Sequence, residues 1–193
     1  MITGAVPALA LPLTSHIAVY GQRIVMGVVV DLDAFGAEGF VMTHEGGLRL
    51  HMQRVLTAPC SVVFRALTQP EELAKWWGPD GFTTPSVGSD LRPGGGYRIA
   101  MQPQGGDPFY LVGEFLEVDP PERLSYTFRW QDPDPEDRET VVTLSLRDID
   151  GTSAELVFTQ GDFATERRQA LHEEGWTQAL NKLEELMSSA ASP

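Results

Sequence analysis

The chemistry open to this chain rests on aromatic rings and a single well-placed histidine. Tyr97, Met101, Phe128, Trp130 and Phe158 stand at alternate positions of extended segments, and Trp176 lies on a helical stripe. They therefore project to one side, where rings offer a flat apolar ligand a large contact area. Tyr126 shares that side, and it and Tyr97 bring hydroxyls able to donate to a ligand carbonyl. His172 precedes Trp176 by one helical turn, which sets a group that titrates near neutral pH beside the same rings. Leu180 follows Trp176 on the stripe. Gly175, next to Trp176 inside the helix, costs about 1 kcal/mol relative to alanine, and so marks close approach of the backbone to the sheet or to a ligand. Trp76 and Trp77, before Gly78 and Pro79, make a candidate lid. Neighbours on a helix point about 100° apart, so one is expected in the core and the other at the cavity mouth or in solvent. The same rings would also serve as a solid core, filling the space they line.

Other candidates lead elsewhere. Arg98, Glu114, Arg129 and Glu139 are acid–base groups by type, but strand parity sends Arg98 and Arg129 to the wet face. His16, His44, His51 and His172 are scattered and Cys60 has no cysteine partner, so no metal spacing and no disulfide emerge, and no cofactor is called for. The triple glycine at 94–96 leads into a strand and lacks a phosphate-loop pattern, and the acidic stretch Asp132 to Glu139 reads as a solvated hairpin tip. A net charge of −13 opposes nucleic acid and anionic membranes as partners. The apolar residues 1–15 lack a basic leader region, and the longest apolar runs are too short to span a bilayer, so a cytoplasmic location is expected.

The elements that position these residues follow from periodicity. Residues 48–56 alternate as a half-buried strand. A short helix follows Pro59 with Val63, Phe64 and Leu67 as its stripe, and a second is bounded by a Thr68–Glu71 capping box and a stop at Gly78, with Leu73, Trp76 and Trp77 as its apolar side. Six strands should follow, divided by turns at 93–96, 103–108, 119–122, 132–137 and 148–151, which implies an antiparallel meander with one dry and one wet face. The segment from Phe109 to Val118 is apolar on both faces. The stripe Leu171, Trp176, Ala179, Leu180, Leu183, Leu186 and Met187 predicts a helix over roughly 164–187 that covers the dry face. The expected class is α+β, a curved antiparallel sheet wrapped on a long C-terminal helix.

Four stretches carry a family resemblance: RVLTAPCSVVFRALTQPEELAKWWGP at 54–79, DLRPGGGYR at 90–98, EVDPPERL at 117–124 and EGWTQALNKLEELM at 174–187. In order and spacing they resemble the family named for the activator of the ninety-kilodalton heat-shock protein's ATPase, in the START-like, helix-grip superfamily. The resemblance covers roughly residues 48–188, and it implies the same element order and a cavity between the sheet and the C-terminal helix. The domain is thus expected at 48–188, with a tail at 189–193. Residues 1–47 are an N-terminal extension with strand-like stretches around 16–20 and 23–31, read as an extra edge hairpin, a tail, or sequence upstream of an initiator at Met42. The expected function is binding of a small hydrophobic or aromatic molecule. The resemblance also implies two alternatives, a polyketide cyclase or aromatase-like enzyme and a co-chaperone acting on a heat-shock ATPase. Nothing in the residues assigns an oligomeric state.

Overall fold

The computed structural model describes residues 47–190, so the readings made for residues 1–46 lie outside the described residues. Within them the chain runs β1 (Leu48–Leu56), α1 (Cys60–Thr68), α2 (Pro70–Leu73), β2 (Phe82–Thr83), β3 (Val87–Ser89), β4 (Gly96–Pro103), β5 (Phe109–Asp119), β6 (Arg123–Trp130), β7 (Thr140–Asp148), β8 (Ala154–Phe163) and α3 (Glu166–Ala190). All pairings are antiparallel, in the order β1-β8-β7-β6-β5-β4-β2, with β3 also on β4. The expected meander is present, closed by β1 returning beside β8.

Alternation does most of the work. Leu124, Tyr126 and Phe128 on β6, Val142, Leu144 and Leu146 on β7, and Ala154, Leu156 and Phe158 on β8 are all buried, and α3 covers them with Trp176, Ala179, Leu180, Leu183 and Met187. Packing of this apolar stripe holds the helix on the sheet. The ambiguous strand β5 resolves by alternation, with Leu111 and Phe115 buried and Leu116 exposed, and its register against β6 shifts only between Phe115 and Glu117.

Several expectations are corrected. The segment read as one strand before β4 is two, interrupted around Pro85, which supplies no backbone donor: β2 pairs with the Gln102–Pro103 end of β4 and β3 with Tyr97–Ile99. Thr68 does not cap α2. It ends α1, buried, and its hydroxyl donates back to the Phe64 carbonyl at 2.7 Å, while Gln69 stands at the start of α2 with Pro70 in the first turn. Gly78 is left-handed at φ 86°, but it does not end α2: the helix stops at Leu73, so Trp76 and Trp77 lie beyond it rather than on its apolar side. Ser125, which strand alternation with Leu124 and Tyr126 would send to the wet face, is buried and donates to the Val142 carbonyl at 3.1 Å. Leu171 is 48% exposed, because it lies one residue, about 100°, off the line through His172, Trp176 and Leu183. The helix α3 continues through Ala190, into the residues read as a tail.

Candidate functional site

Two short helices and the edge of the sheet enclose an apolar cavity. Leu67 and Thr68 from α1, Leu73 from α2 and Trp77 just beyond it form the roof, while Val87 and Ser89 on β3, Tyr97 and Ile99 on β4, Phe115 on β5, and Leu124 and Tyr126 on β6 form the floor. No charged side chain belongs to this lining. The void is about 30 Å³, room for about two water molecules. Tyr97, Phe115 and Tyr126 make one wall as a three-ring cluster with centroids 5.4 to 6.2 Å apart.

The two tyrosines of that wall differ. The Tyr97 hydroxyl donates to the Thr127 carbonyl at 2.6 Å, reaching across β5, and it can do so because residue 113 is glycine. A Cβ there would lie 2.6 Å from the Tyr97 ring and 2.0 Å from the Thr127 oxygen. The Tyr126 hydroxyl, on a residue only 5% exposed, has no hydrogen-bond partner. Burial pushes both phenols far above their ordinary range, so both remain protonated donors. An unpaired buried hydroxyl costs about 1 to 3 kcal/mol.

Beneath α3 the interior is filled by rings instead. Trp77 meets Trp176 edge-on at 5.1 Å, Trp176 packs on Phe158 at 4.5 Å and on Phe128 at 6.2 Å, and Phe128 touches Trp130 and His172. One polar network runs through this packing. The Trp176 indole nitrogen, which can only donate, bonds Gln160 Oε1 at 2.7 Å, and Gln160 Nε2 donates to the Thr140 hydroxyl at 2.9 Å. His172 Nδ1 lies 3.3 Å from the same Gln160 oxygen, so Nδ1 carries the hydrogen and the lone pair is on Nε2. Burial, reinforced by Arg168 and opposed by Asp137, pushes His172 down to about 4, so the ring is neutral at physiological pH. Beside it lies a recess of about 10 Å³, lined among others by Trp130, Phe163, Arg168 and His172, where Arg168 bonds Asp137 at 2.7 Å and its buried Nε has no partner. This recess, large enough for about one water, shares no residue with the cavity under α1 and α2.

Comparison with known proteins places this architecture. Residues 57–188 match the family described as "Activator of Hsp90 ATPase homolog 1-like protein". The chain belongs to that family. Among solved structures, a Chromobacterium violaceum protein is similar at 30% identity, with a TM-score of 0.64, over 72% of this chain and 96% of that one. A Nitrosomonas europaea protein is similar at 29% identity, with a TM-score of 0.61, over 74% and 95%. The AHSA1 protein from Silicibacter pomeroyi is similar at 26% identity, with a TM-score of 0.65, over 74% and 99%. Among proteins with curated descriptions none matches the chain. The helix-grip fold expected from the sequence is the fold of this family member.

In this member of the activator-of-Hsp90-ATPase-like family the residues singled out by sequence divide between three places. Trp77, Tyr97 and Tyr126 line the cavity under α1 and α2. Phe128, Trp130 and His172 border the small recess. Met101, Phe158, Trp176 and Leu180 are buried in the core. Trp76, 1% exposed, donates its indole N–H to the Ala66 carbonyl at 2.9 Å, so it is the core member of the pair while Trp77, also buried, lines the cavity. Gly175 marks no close approach: a Cβ there meets nothing within 4 Å. Sequence reasoning passed over Gln160 and Thr140, although the inward parity of β8 and β7 leads straight to both. A polar residue on a dry face was the available signal. Among the described residues no group of acidic, histidine or cysteine side chains could hold a metal, and no helix is long and apolar enough to cross a membrane.

Proposed function

We propose that this protein binds a small hydrophobic or aromatic molecule, and that the ligand lodges in the cavity under α1 and α2 rather than in the ring-filled space beneath α3. One observation carries the reading: an uncharged, ring-walled void whose roof and rim come partly from two short elements, α2 and β3. Helix α2 has four residues and strand β3 three. Elements with so little packing open at the lowest free energy, which lets the void widen around a ligand larger than two waters. Affinity then comes from apolar area removed from water at about 25 cal/mol per Å², less the ordering costs. The acidic charge agrees with a cytoplasmic protein without nucleic-acid or membrane partners.

An enzyme of the cyclase or aromatase kind needs a proton-transfer group on the cavity wall. This wall offers only hydroxyls, its phenols held far from neutral titration, and the histidine is tied into the separate Gln160 network. The co-chaperone reading rests on the family description alone.

A neutral solvatochromic dye such as Nile red tests the site. It is expected to saturate one site and quench Trp77. Val87, half-buried on the rim, tolerates a larger residue on its edge strand, so Val87→Trp is expected to weaken binding at least about tenfold in a folded protein by closing the mouth. Unchanged dye affinity in folded Val87→Trp overturns the placement.

A further inference from the structure

We infer that the ligand of this cavity is a neutral molecule, mostly apolar, that presents a single hydrogen-bond acceptor, a ketone, aldehyde or ester carbonyl, to the Tyr126 hydroxyl. This rests on the cavity reading above and specifies its chemistry. Four hydroxyl-bearing side chains line the void. Thr68 donates to the Phe64 carbonyl at 2.7 Å and Tyr97 to the Thr127 carbonyl at 2.6 Å, so neither has a hydrogen left to donate. Ser89 is exposed at the rim. Tyr126 alone is buried within the wall with its hydroxyl unpaired.

Each feature narrows the ligand. A buried phenol is primarily a donor, so its natural partner is an acceptor. A carboxylate or ammonium ligand would need an opposite charge on the wall, and the wall has none; an unpaired charge in such surroundings does not stay ionised. The rings of Tyr97, Phe115 and Trp77 that line the same cavity suit an aryl or alkyl body flanking the carbonyl.

A matched pair of probes separates the hydrogen bond from the apolar fit: acetophenone, and α-methylstyrene, in which a methylene replaces the carbonyl oxygen at nearly the same shape. Binding of each is measured to the wild-type protein and to Tyr126→Phe, by ligand-observed NMR and by the carbonyl stretch of bound acetophenone. Removing an unpaired hydroxyl leaves the fold intact, which circular dichroism and the urea midpoint verify. Tyr126→Phe is expected to weaken acetophenone about fivefold to tenfold, to leave α-methylstyrene unchanged, and to abolish a red shift of the carbonyl stretch. If both probes bind and the substitution affects neither, or affects both alike, the cavity reading stands and the acceptor is refuted. If neither probe binds the wild-type protein, the cavity reading falls as well.

Discussion

Acid should unfold this protein through His172 in a way that a single substitution removes. The folded ring titrates at about 4 against an ordinary 6.5. Above pH 6.5 the imidazole is neutral in folded and unfolded chains alike, and it contributes nothing to the pH dependence. As pH falls below 6.5 the unfolded chain takes up a proton that the folded one refuses. Stability then drops by about 1.36 kcal/mol per pH unit until the folded ring protonates near 4, for a total of up to about 3 kcal/mol. Asp137 favours the proton and Arg168 opposes it, but burial among Phe128, Phe163 and Trp130 dominates. That loss is large against the 5 to 15 kcal/mol typical of a domain. Exposed carboxylates such as Asp162 and Glu155, held low by Arg49 and Arg147, also lose their contributions in acid, so the measurement has to be a difference. Urea midpoints for the wild type and His172→Gln, compared from pH 7 to 4.5, should diverge in slope: the variant keeps a donor for Gln160 and cannot titrate. The wild type should lose about 2 kcal/mol more than the variant between pH 6.5 and 5. An NMR titration of the His172 ring near 6.5, or equal acid slopes in both proteins, would refute the reasoning.

Two glycines give opposite expectations. Gly175→Ala should stabilise the protein by about 1 kcal/mol in urea unfolding and leave dye binding unchanged, since the added methyl enters open space and the helix gains propensity; a loss of stability or of binding would count against the placement of α3. Gly113→Ala should cost about 1 to 3 kcal/mol, because its methyl overlaps the Thr127 carbonyl and the Tyr97 ring, and should weaken dye binding by displacing one wall of the cavity; a neutral result by calorimetry would show that β5 and β6 part easily there.

The sheet was legible because a single rule, burial at every second residue, repeats along β6, β7 and β8, and a one-residue slip would expose the whole set. The same rule carried through would have reached Gln160, since Ala154, Leu156 and Phe158 point where it points. Local chemistry was less legible where a residue has two uses. Thr68 and Glu71 have the spacing of a capping box, yet Thr68 already satisfies the Phe64 carbonyl from inside α1. Gly175 was read from its cost in a helix, and that cost says nothing about what stands opposite. Parity put Tyr97 and Tyr126 on one side but could not tell them apart. The partner of Tyr97 is a backbone carbonyl reached over a glycine on the intervening strand, a relation fixed by register between β4, β5 and β6 rather than by any one of them.

That difference between the tyrosines also bears on why the void lies under α1 and α2. Beneath α3, the Trp176 indole, the Gln160 amide and the Thr140 hydroxyl satisfy one another, so the rings close around them with little left unpaired. On the other side, Tyr97 donates to the Thr127 carbonyl and the Tyr126 hydroxyl has no partner. Phenylalanine at 126 would fill the same wall and avoid the cost of an unpaired hydroxyl, about 1 to 3 kcal/mol. Packing alone therefore gives no reason for the oxygen, whereas a ligand carbonyl does: the stability forgone in the empty protein returns as affinity and orientation when the acceptor arrives. The stability of the empty protein is accordingly expected to hold or rise in Tyr126→Phe while carbonyl binding falls, and a clear loss of stability in that variant would mean that the hydroxyl already has a structural partner.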